Sequence, residues 1–263
     1  MNAFLSALWA EALKARRSKV LLLTIGASLI LPLIGGLFMI ILKNPEQARA
    51  MGLISVKSQL IGGTADWQTY FDMLLQSMAM AGTILFAFIM AWIFGREFSD
   101  RTAKELLALP TPRGAIIGAK FILTALWMLG LALLIFGIGL GVGAAVDIPG
   151  WSLELARSSF GILMTVALLI FMLMPFVALF ASAGRGYLPA LGWAIFSFVI
   201  AQIVSLLGWG DWIPWCVPVL LSGMFGPRGV EQIGMHSYIL MLLAFIIGVT
   251  ATFGWWRSAD QAR

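Results

Sequence analysis

The side chains that most often carry out reactions are nearly missing from this chain. His236 is the only histidine and Cys216 the only cysteine in 263 residues, which excludes HExxH-type metal sites and any intrachain disulfide. No GxxxxGK[ST] phosphate loop occurs, so the polypeptide is not expected to bind ATP in that manner. Proton- and ion-coupled carriers need titratable or chelating groups at membrane depth. The long apolar runs here contain no Asp, Glu, Arg or His, and Lys120 lies at the edge of one. No metal, cofactor or catalytic residue is therefore expected. What remains is docking chemistry, concentrated in the stretch G-R-E-F-S-D-R-T-A-K-E-L-L-A-L-P-T-P-R-G from Gly95 to Gly114. Ser99 or Asp100 suits the N-cap of a short helix. Asp100 with Lys104 and Arg101 with Glu105 stand four apart, the spacing of helical ion pairs. Phe98, Thr102, Leu106 and Leu109 would share one face, and Pro110 and Pro112 would stop the helix. Such a helix is shaped to press into a groove on a soluble partner; a solvated connecting loop is the plainer alternative.

The elements that must position this stretch follow from composition. The chain is 61% hydrophobic and 11% charged, with mean hydropathy +0.97, against about a quarter charged in ordinary soluble domains. Runs of roughly 18 or more apolar residues are candidate spans, and six occur, at about 20–42, 73–94, 115–146, 158–180, 188–207 and 237–256. The first has a basic flank, but 23 apolar residues from Val20 to Leu42 exceed the roughly 7–15 of a signal peptide, so it reads as a retained anchor. The third is 32 residues long, more than a bilayer requires, and its first turns are assigned to the segment before it. With the N-terminus inside, inner segments carry twelve basic residues (Lys14, Arg16, Arg17, Lys19, Arg96, Arg101, Lys104, Arg113, Lys120, Arg185, Arg257 and Arg263). Outer segments carry five (Lys43, Arg49, Lys57, Arg157 and Arg228). The positive-inside bias thus puts both termini in the cytoplasm. Basic residues beside spans, attracted by anionic lipid, account for the net charge of +5 without nucleic acid.

Several features within this frame carry structural expectations. Trp67, Tyr70 and Phe71 before the second span, and Trp255 and Trp256 at the end of the sixth, read as headgroup-level anchors. Gly137/Gly141 and Gly139/Gly143 are two GxxxG pairs, suited to close helix contact either within one subunit or between two. Pro32 with Gly35 and Gly36 favours a kink in the first span. Gln76 and Gln202 are expected to bond across helices. Between the fifth and sixth spans, residues 211–225 are apolar and aromatic but broken by Pro214 and Pro218. With Trp212 and Trp215 this segment suits an outer re-entrant or interfacial element, an ordinary packed loop being the alternative. Near the N-terminus, Leu5, Leu8, Trp9 and Ala12 can face lipid while Glu11 and Lys14 face away, as in an amphipathic interfacial helix, simple juxtamembrane basic anchoring being the alternative. The expected fold is an all-α integral membrane protein, a single transmembrane domain over 1–263.

The run F-G-R-E-F-S-D-R-T-A-K-E-L-L-A-L-P-T-P-R-G-A-I-I-G-A-K-F resembles the coupling loop of ABC type-2 permeases, the group that includes bacitracin- and lantibiotic-immunity and copper-related export subunits. The matching places are Glu97, Thr102, Leu106-Leu107, Pro110 and Lys120. The layout is similar too: six spans, inner termini, and a broken apolar element before the last span. Trp9, Glu11, Lys14, Arg16 and Arg17 resemble that family's surface-lying connecting helix. The resemblance implies the membrane subunit of an ATP-driven exporter in a bacterial cytoplasmic membrane. It would pair with a second copy or a homologue and dock on separate cytoplasmic ABC ATPase subunits. Glu97, Arg101, Thr102, Glu105, Leu106 and Pro110 would form the ATPase-coupling interface, with Glu97 tied to the connecting helix through Arg16 or Arg17. The 14 methionines suit hydrophobic, peptide-like or lipid-like cargo, since Met surfaces adapt, ordinary filling of a membrane interior being the alternative. A non-transporting scaffold, sensor or assembly factor is the rival reading.

Overall fold

The computed structural model describes residues 3–44, 64–103, 105 and 110–258, and every regular element among them is helical. Lys104, Leu106, Leu107 and Leu109 fall outside the described residues, as do Arg49, Lys57 and Arg263. In chain order the elements are α1 (Ala3–Arg17), α2 (Lys19–Lys43), α3 (Trp67–Ser77), a π-helical turn (Met78–Gly82), α4 (Thr83–Ser99), α5 (Arg113–Ala145), α6 (Leu153–Ala183) and α7 (Tyr187–Leu206). Two 3₁₀ turns (Gly210–Trp212 and Pro214–Cys216) then lead into α8 (Val217–Leu221), α9 (Gly226–Glu231) and α10 (Met235–Ser258). Among the described residues, six helices are long and apolar enough to cross a membrane: α2, the continuous rod α3–π–α4, α5, α6, α7 and α10. Helices are the form such a chain must take, because hydrocarbon offers no partner for a free backbone N–H or C=O.

α6 is the centre of the bundle, packed by α10, α4, α7 and α5. α2 lies outside against α5, and α1 crosses the start of α5. At 33 residues, α5 is about 50 Å long at 1.5 Å per residue, well beyond a hydrocarbon core of about 30 Å. Its first two turns meet α1 and the end of α4.

Four long helices end in the same way. At the end of α4, Arg101 N–H donates to the Phe98 carbonyl (3.2 Å) and Thr102 N–H to the Glu97 carbonyl (2.9 Å). These are the two bonds of a Schellman motif. Asp147, Arg185 and Gly208 occupy the equivalent places after α5, α6 and α7. Glycine usually takes this left-handed position, yet Arg101, Asp147 and Arg185 adopt φ of 60°, 55° and 53°. The turn at Arg101 corrects one expectation. Ser99 and Asp100 close α4 instead of opening the next helix, and Phe98, packed 5.8 Å from the ring centres of both Trp255 and Trp256, shares no helical face with Thr102.

The aromatic residues before the second span are not surface anchors: Trp67, Tyr70 and Phe71 are buried, as is Trp256. Their hosts are glycines. A Cβ on Gly143 would overlap the Trp67 ring, and one on Gly139 would come within 2.9 Å of Leu74. The two GxxxG pairs thus divide: Gly139/Gly143 pack α5 on α3, while Gly137 and Gly141 meet open space. Gly36 packs against Val142 and Gly35 against Tyr70, so the first-span glycines serve close approach, and Pro32 sits inside α2 without ending it. Among the described residues, neither Gln76 nor Gln202 bonds to another helix, and the buried Gln202 amide nitrogen has no partner. The interhelical bonds come instead from Trp127 to Thr24 (3.2 Å), Tyr70 to the Pro32 carbonyl (3.2 Å), Thr252 to the Pro175 carbonyl (3.2 Å) and Trp256 to Ser182 (2.9 Å).

The broken element before α10 is a chain of short helical turns with Cys216, Val217 and Pro218 buried. Trp215 lies 5.2 Å from the Phe176 ring and 5.7 Å from Trp193. Pro218 and Val219 share a small void with Met174 and Val177, the first of which stands 21 residues, about 31 Å, along α6 from Leu153. Its entry is clamped to the start of α10: His236 Nε2 is 3.0 Å from the Asp211 carboxylate, Ser237 donates to the Asp211 carbonyl at 2.8 Å, and the His236 ring lies 4.6 Å from Trp212.

The glycine notch gives a direct test. Gly143→Leu is expected to lower unfolding stability by about 1–3 kcal/mol through overpacking, while Gly141→Leu, facing open space, leaves it near the parent's. Thermal unfolding of the two variants in detergent measures the difference.

Candidate functional site

Every sequence-derived coupling residue with described coordinates gathers at the end of the bundle where α1, the end of α4 and the start of α5 meet. α1 is placed there by a stripe of small residues. Ala7, Glu11 and Ala15, four apart, are its buried positions, so a flat helix face rests on α5, where Ala7 packs with Ile116 and Ala119. Leu5 and Trp9 point outward, the latter 65% exposed. Ser18 is the single residue between α1 and α2. Its extended backbone turns the chain, and its N–H and hydroxyl both donate to the Ala15 carbonyl.

Glu11 does not face solvent. Its carboxylate is buried together with Arg96, Glu97 and Lys120. Arg96 Nη2 lies 2.5 Å from Glu11 Oε2 and Arg96 Nε 3.2 Å from Glu97 Oε1. Lys120 Nζ bridges both acids, 3.2 Å from Glu11 and 2.8 Å from Glu97, and donates a third bond to the Ile93 carbonyl at 2.8 Å. Lys14 closes the ring from the surface, 2.9 Å from Glu11 and 3.4 Å from Glu97. The Arg96 guanidinium also lies 4.6 Å over the Trp92 ring, a favourable cation–π placement.

Three cations thus meet two carboxylates in a site nearly closed to water. Burial alone pushes the Glu11 carboxyl upward, but Lys120, with Arg96 and Lys14, overrides it and holds the group below its ordinary 4.5, against an opposing push from Glu97. Glu97 contacts α1 through Lys14, not through Arg16 or Arg17, both of which are exposed and form no ion pair with it among the described residues. The second Glu97 oxygen, Oε2, is buried without a partner among the described residues. A cleft of about 300 Å³ opens beside it, between Lys14, Arg17, Ser18, Asp100 and Thr102.

The remaining coupling residues stand just outside this cluster. Arg101, Thr102, Glu105 and Pro110 are exposed, and Ala103 is turned inward; Leu106 lies outside the described residues. Arg113, at the start of α5, reaches the other way. Its guanidinium donates to the carbonyls of Trp256 and Arg257 (3.1 and 3.2 Å), satisfying the end of α10 where a cation is favoured. Of the re-entrant candidates, Trp212 lies beside the Asp211–His236 pair at the opposite end, while after Pro214 the chain turns inward, Trp215 meeting Phe176 and Pro218 lining a void with Met174 of α6. Sequence reasoning singled out neither Arg96 nor the joint role of Lys120. The signal available for Glu11 was the Ala7–Glu11–Ala15 stripe.

Comparison with known proteins covers this end of the molecule. A family model described as ABC-2 family transporter protein matches residues 7–202, a stretch holding all five charged residues of the cluster. The chain is also 27% identical over 198 residues to the bacitracin transport permease protein BCRB of Bacillus licheniformis, covering 73% of this chain and 92% of that one.

Removing one buried partner strands the others, a loss of about 3–5 kcal/mol, so Lys120→Met is expected to destabilise the protein by that amount in detergent unfolding. The acid response has a fixed sign. With its folded pKa below 4.5, Glu11 contributes fully above that value, and its contribution is lost as pH falls through the lower folded value. The thermal midpoint of the parent should therefore drop on acidification below pH 4.5, and Glu11→Gln should flatten that limb.

Proposed function

This chain belongs to the ABC-2 transporter family and is a permease subunit of an ABC transporter, and from that premise we propose that it is driven by a separate cytoplasmic ATPase pressing on the segment from Glu97 to Pro110. The observation that carries the proposal is the buried ion cluster. Glu11 and Lys14 of α1, Arg96 and Glu97 of α4, and Lys120 of α5 converge where that segment leaves the bundle. A force on the segment is therefore delivered to three helices together, as a rigid-body shift of the alternating-access kind requires. Arg101, Thr102, Glu105, Leu106 and Pro110 dock the ATPase; none of them reacts. In this reading both termini are cytoplasmic. α1, with Trp9 and Leu5 outward, lies along the inner membrane surface, and Trp212, Pro214, Trp215 and Pro218 form a re-entrant element from the outer side. The depth of Pro218 along α6 supports that last assignment. Two copies, or this chain and a homologue, enclose the pathway.

The direction is export. A pathway without titratable groups in mid-span suits a hydrophobic, peptide-like or lipid-like solute, and the likeness to a bacitracin transport permease favours a peptide antibiotic among these.

Arg101 offers a clean test, because Arg101→Gly keeps the left-handed turn while removing the guanidinium. Reconstituted with its ATPase subunit, Arg101→Gly or Leu106→Asp is expected to lower transport-stimulated ATP hydrolysis about tenfold or more, the effect of losing an interface anchor. Permease level and thermal midpoint should be unchanged. Pull-down from native membranes that returns no ATPase subunit would overturn the proposal.

A further inference from the structure

A second feature of the same end has no part in ATPase docking. Between α1, α2 and α5 runs an open crevice of about 420 Å³, with Arg16 at its mouth. We propose that it binds one anionic phospholipid of the inner leaflet, its phosphate on Arg16 and an acyl chain laid along α5; this rests on the reading that α1 lies at the inner headgroup level.

The walls are apolar, from Leu21 and Ile25 of α2 to Leu123 and Leu134 of α5. The indole N–H of Trp127, another lining residue, is already given to Thr24. Leu123 to Leu134 spans about 16 Å of helix, close to half of a hydrocarbon core of about 30 Å, which is the depth of one leaflet. Among the described residues, nothing fills the crevice. Gly130 lines it, and a Cβ placed there meets nothing within 4 Å.

The mouth selects charge. Arg16, Arg17 and Lys19 are exposed and make no ion pair among the described residues. The nearby carboxylates, Glu11 and Glu97, are held by Lys14, Arg96 and Lys120. A guanidinium at the head of an apolar slot matches a phosphate that carries a hydrocarbon tail, because its planar fork binds phosphate oxygens in pairs. The larger apolar groove between α2 and the second span, about 590 Å³, is lined by no charged residue. It can take a lipid tail but cannot choose a headgroup.

Native mass spectrometry of the full-length chain, released from vesicles of equimolar phosphatidylglycerol and phosphatidylcholine, tests this. The parent is expected to retain one phosphatidylglycerol per chain in preference to phosphatidylcholine. Arg16→Gln should lower that preference about fivefold, the effect of one basic group at the membrane surface. Gly130→Trp should fill the slot and lose the preferentially retained phosphatidylglycerol while still co-purifying with the ATPase subunit, which separates failure here from failure of the transporter reading. Equal retention of the two lipids by the parent would overturn the proposal, as would an unchanged preference in Arg16→Gln. So would disulfide-linked dimers of Gly130→Cys in a Cys216→Ala background, which would place a second copy in the crevice.

Discussion

A carboxylate taken out of water has to be met by positive charge or be protonated, and at one end of this bundle two are taken out side by side. Glu11 and Glu97 come from helices far apart in sequence, and both are satisfied by Arg96 and Lys120, with Lys14 at the surface. Neither acid can leave without stranding the cations, at a cost of several kcal/mol per uncompensated buried charge. Between helices in lipid, apolar contact discriminates little, since lipid tails are as apolar as leucine. Polar ties therefore carry much of the selectivity in which helices pair. At this end the charged ones join α1, α4 and α5, where the segment after Arg101 leaves the bundle.

The opposite end is held differently. Trp67 seats in the notch of Gly143, Phe71 stacks on Phe136 at 5.7 Å, and Trp67 meets Trp151 edge-on at 4.7 Å. Lys43 reaches the carbonyls at the end of α5 (2.8 and 2.6 Å). Apart from the Asp211–His236 contact, no ion pair occurs at that end among the described residues. Aromatic packing of this kind can slide by small amounts without exposing a charge. The two ends therefore differ in kind: one is tied by buried charge, the other by aromatic packing.

The spans were legible because the bilayer imposes a length that few other environments demand; Val20–Leu42, for example, reappears as Lys19–Lys43. What surrounds the spans was less legible, for definite reasons. A tryptophan before a span has the same signature whether it faces headgroups or packs inward, and what settles Trp67 is a glycine on α5, distant in sequence. Three helix ends were hidden because Arg101, Asp147 and Arg185 hold the place where glycine is the usual marker. Glu11 read as outward because a charge on an amphipathic helix normally is; only its contact with Lys120, over a hundred residues away, turns it inward. The site residues after Glu97 were visible as a charged, proline-bounded segment, but their common support, the ion cluster, is a tertiary fact.

This arrangement bears on how work done outside the membrane could reach the far end. The motif at Arg101 fixes the last turn of α4 through the carbonyls of Glu97 and Phe98, so a displaced segment turns the end of α4 instead of folding at the junction. On the proposed reading the shift would then travel along a rod that is α-helical except for the π turn at Met78–Gly82. A wide turn of that type is a local relaxation of the hydrogen-bond ladder, found often at functional positions. It lies between α4, tied to the ion cluster, and α3, whose aromatic face packs on α5. On the proposed reading that turn is where a rigid inner half meets an adaptable outer half. Movement imposed at Glu97 would then be resolved by repacking around Trp67 and Phe71, with the charges staying paired throughout.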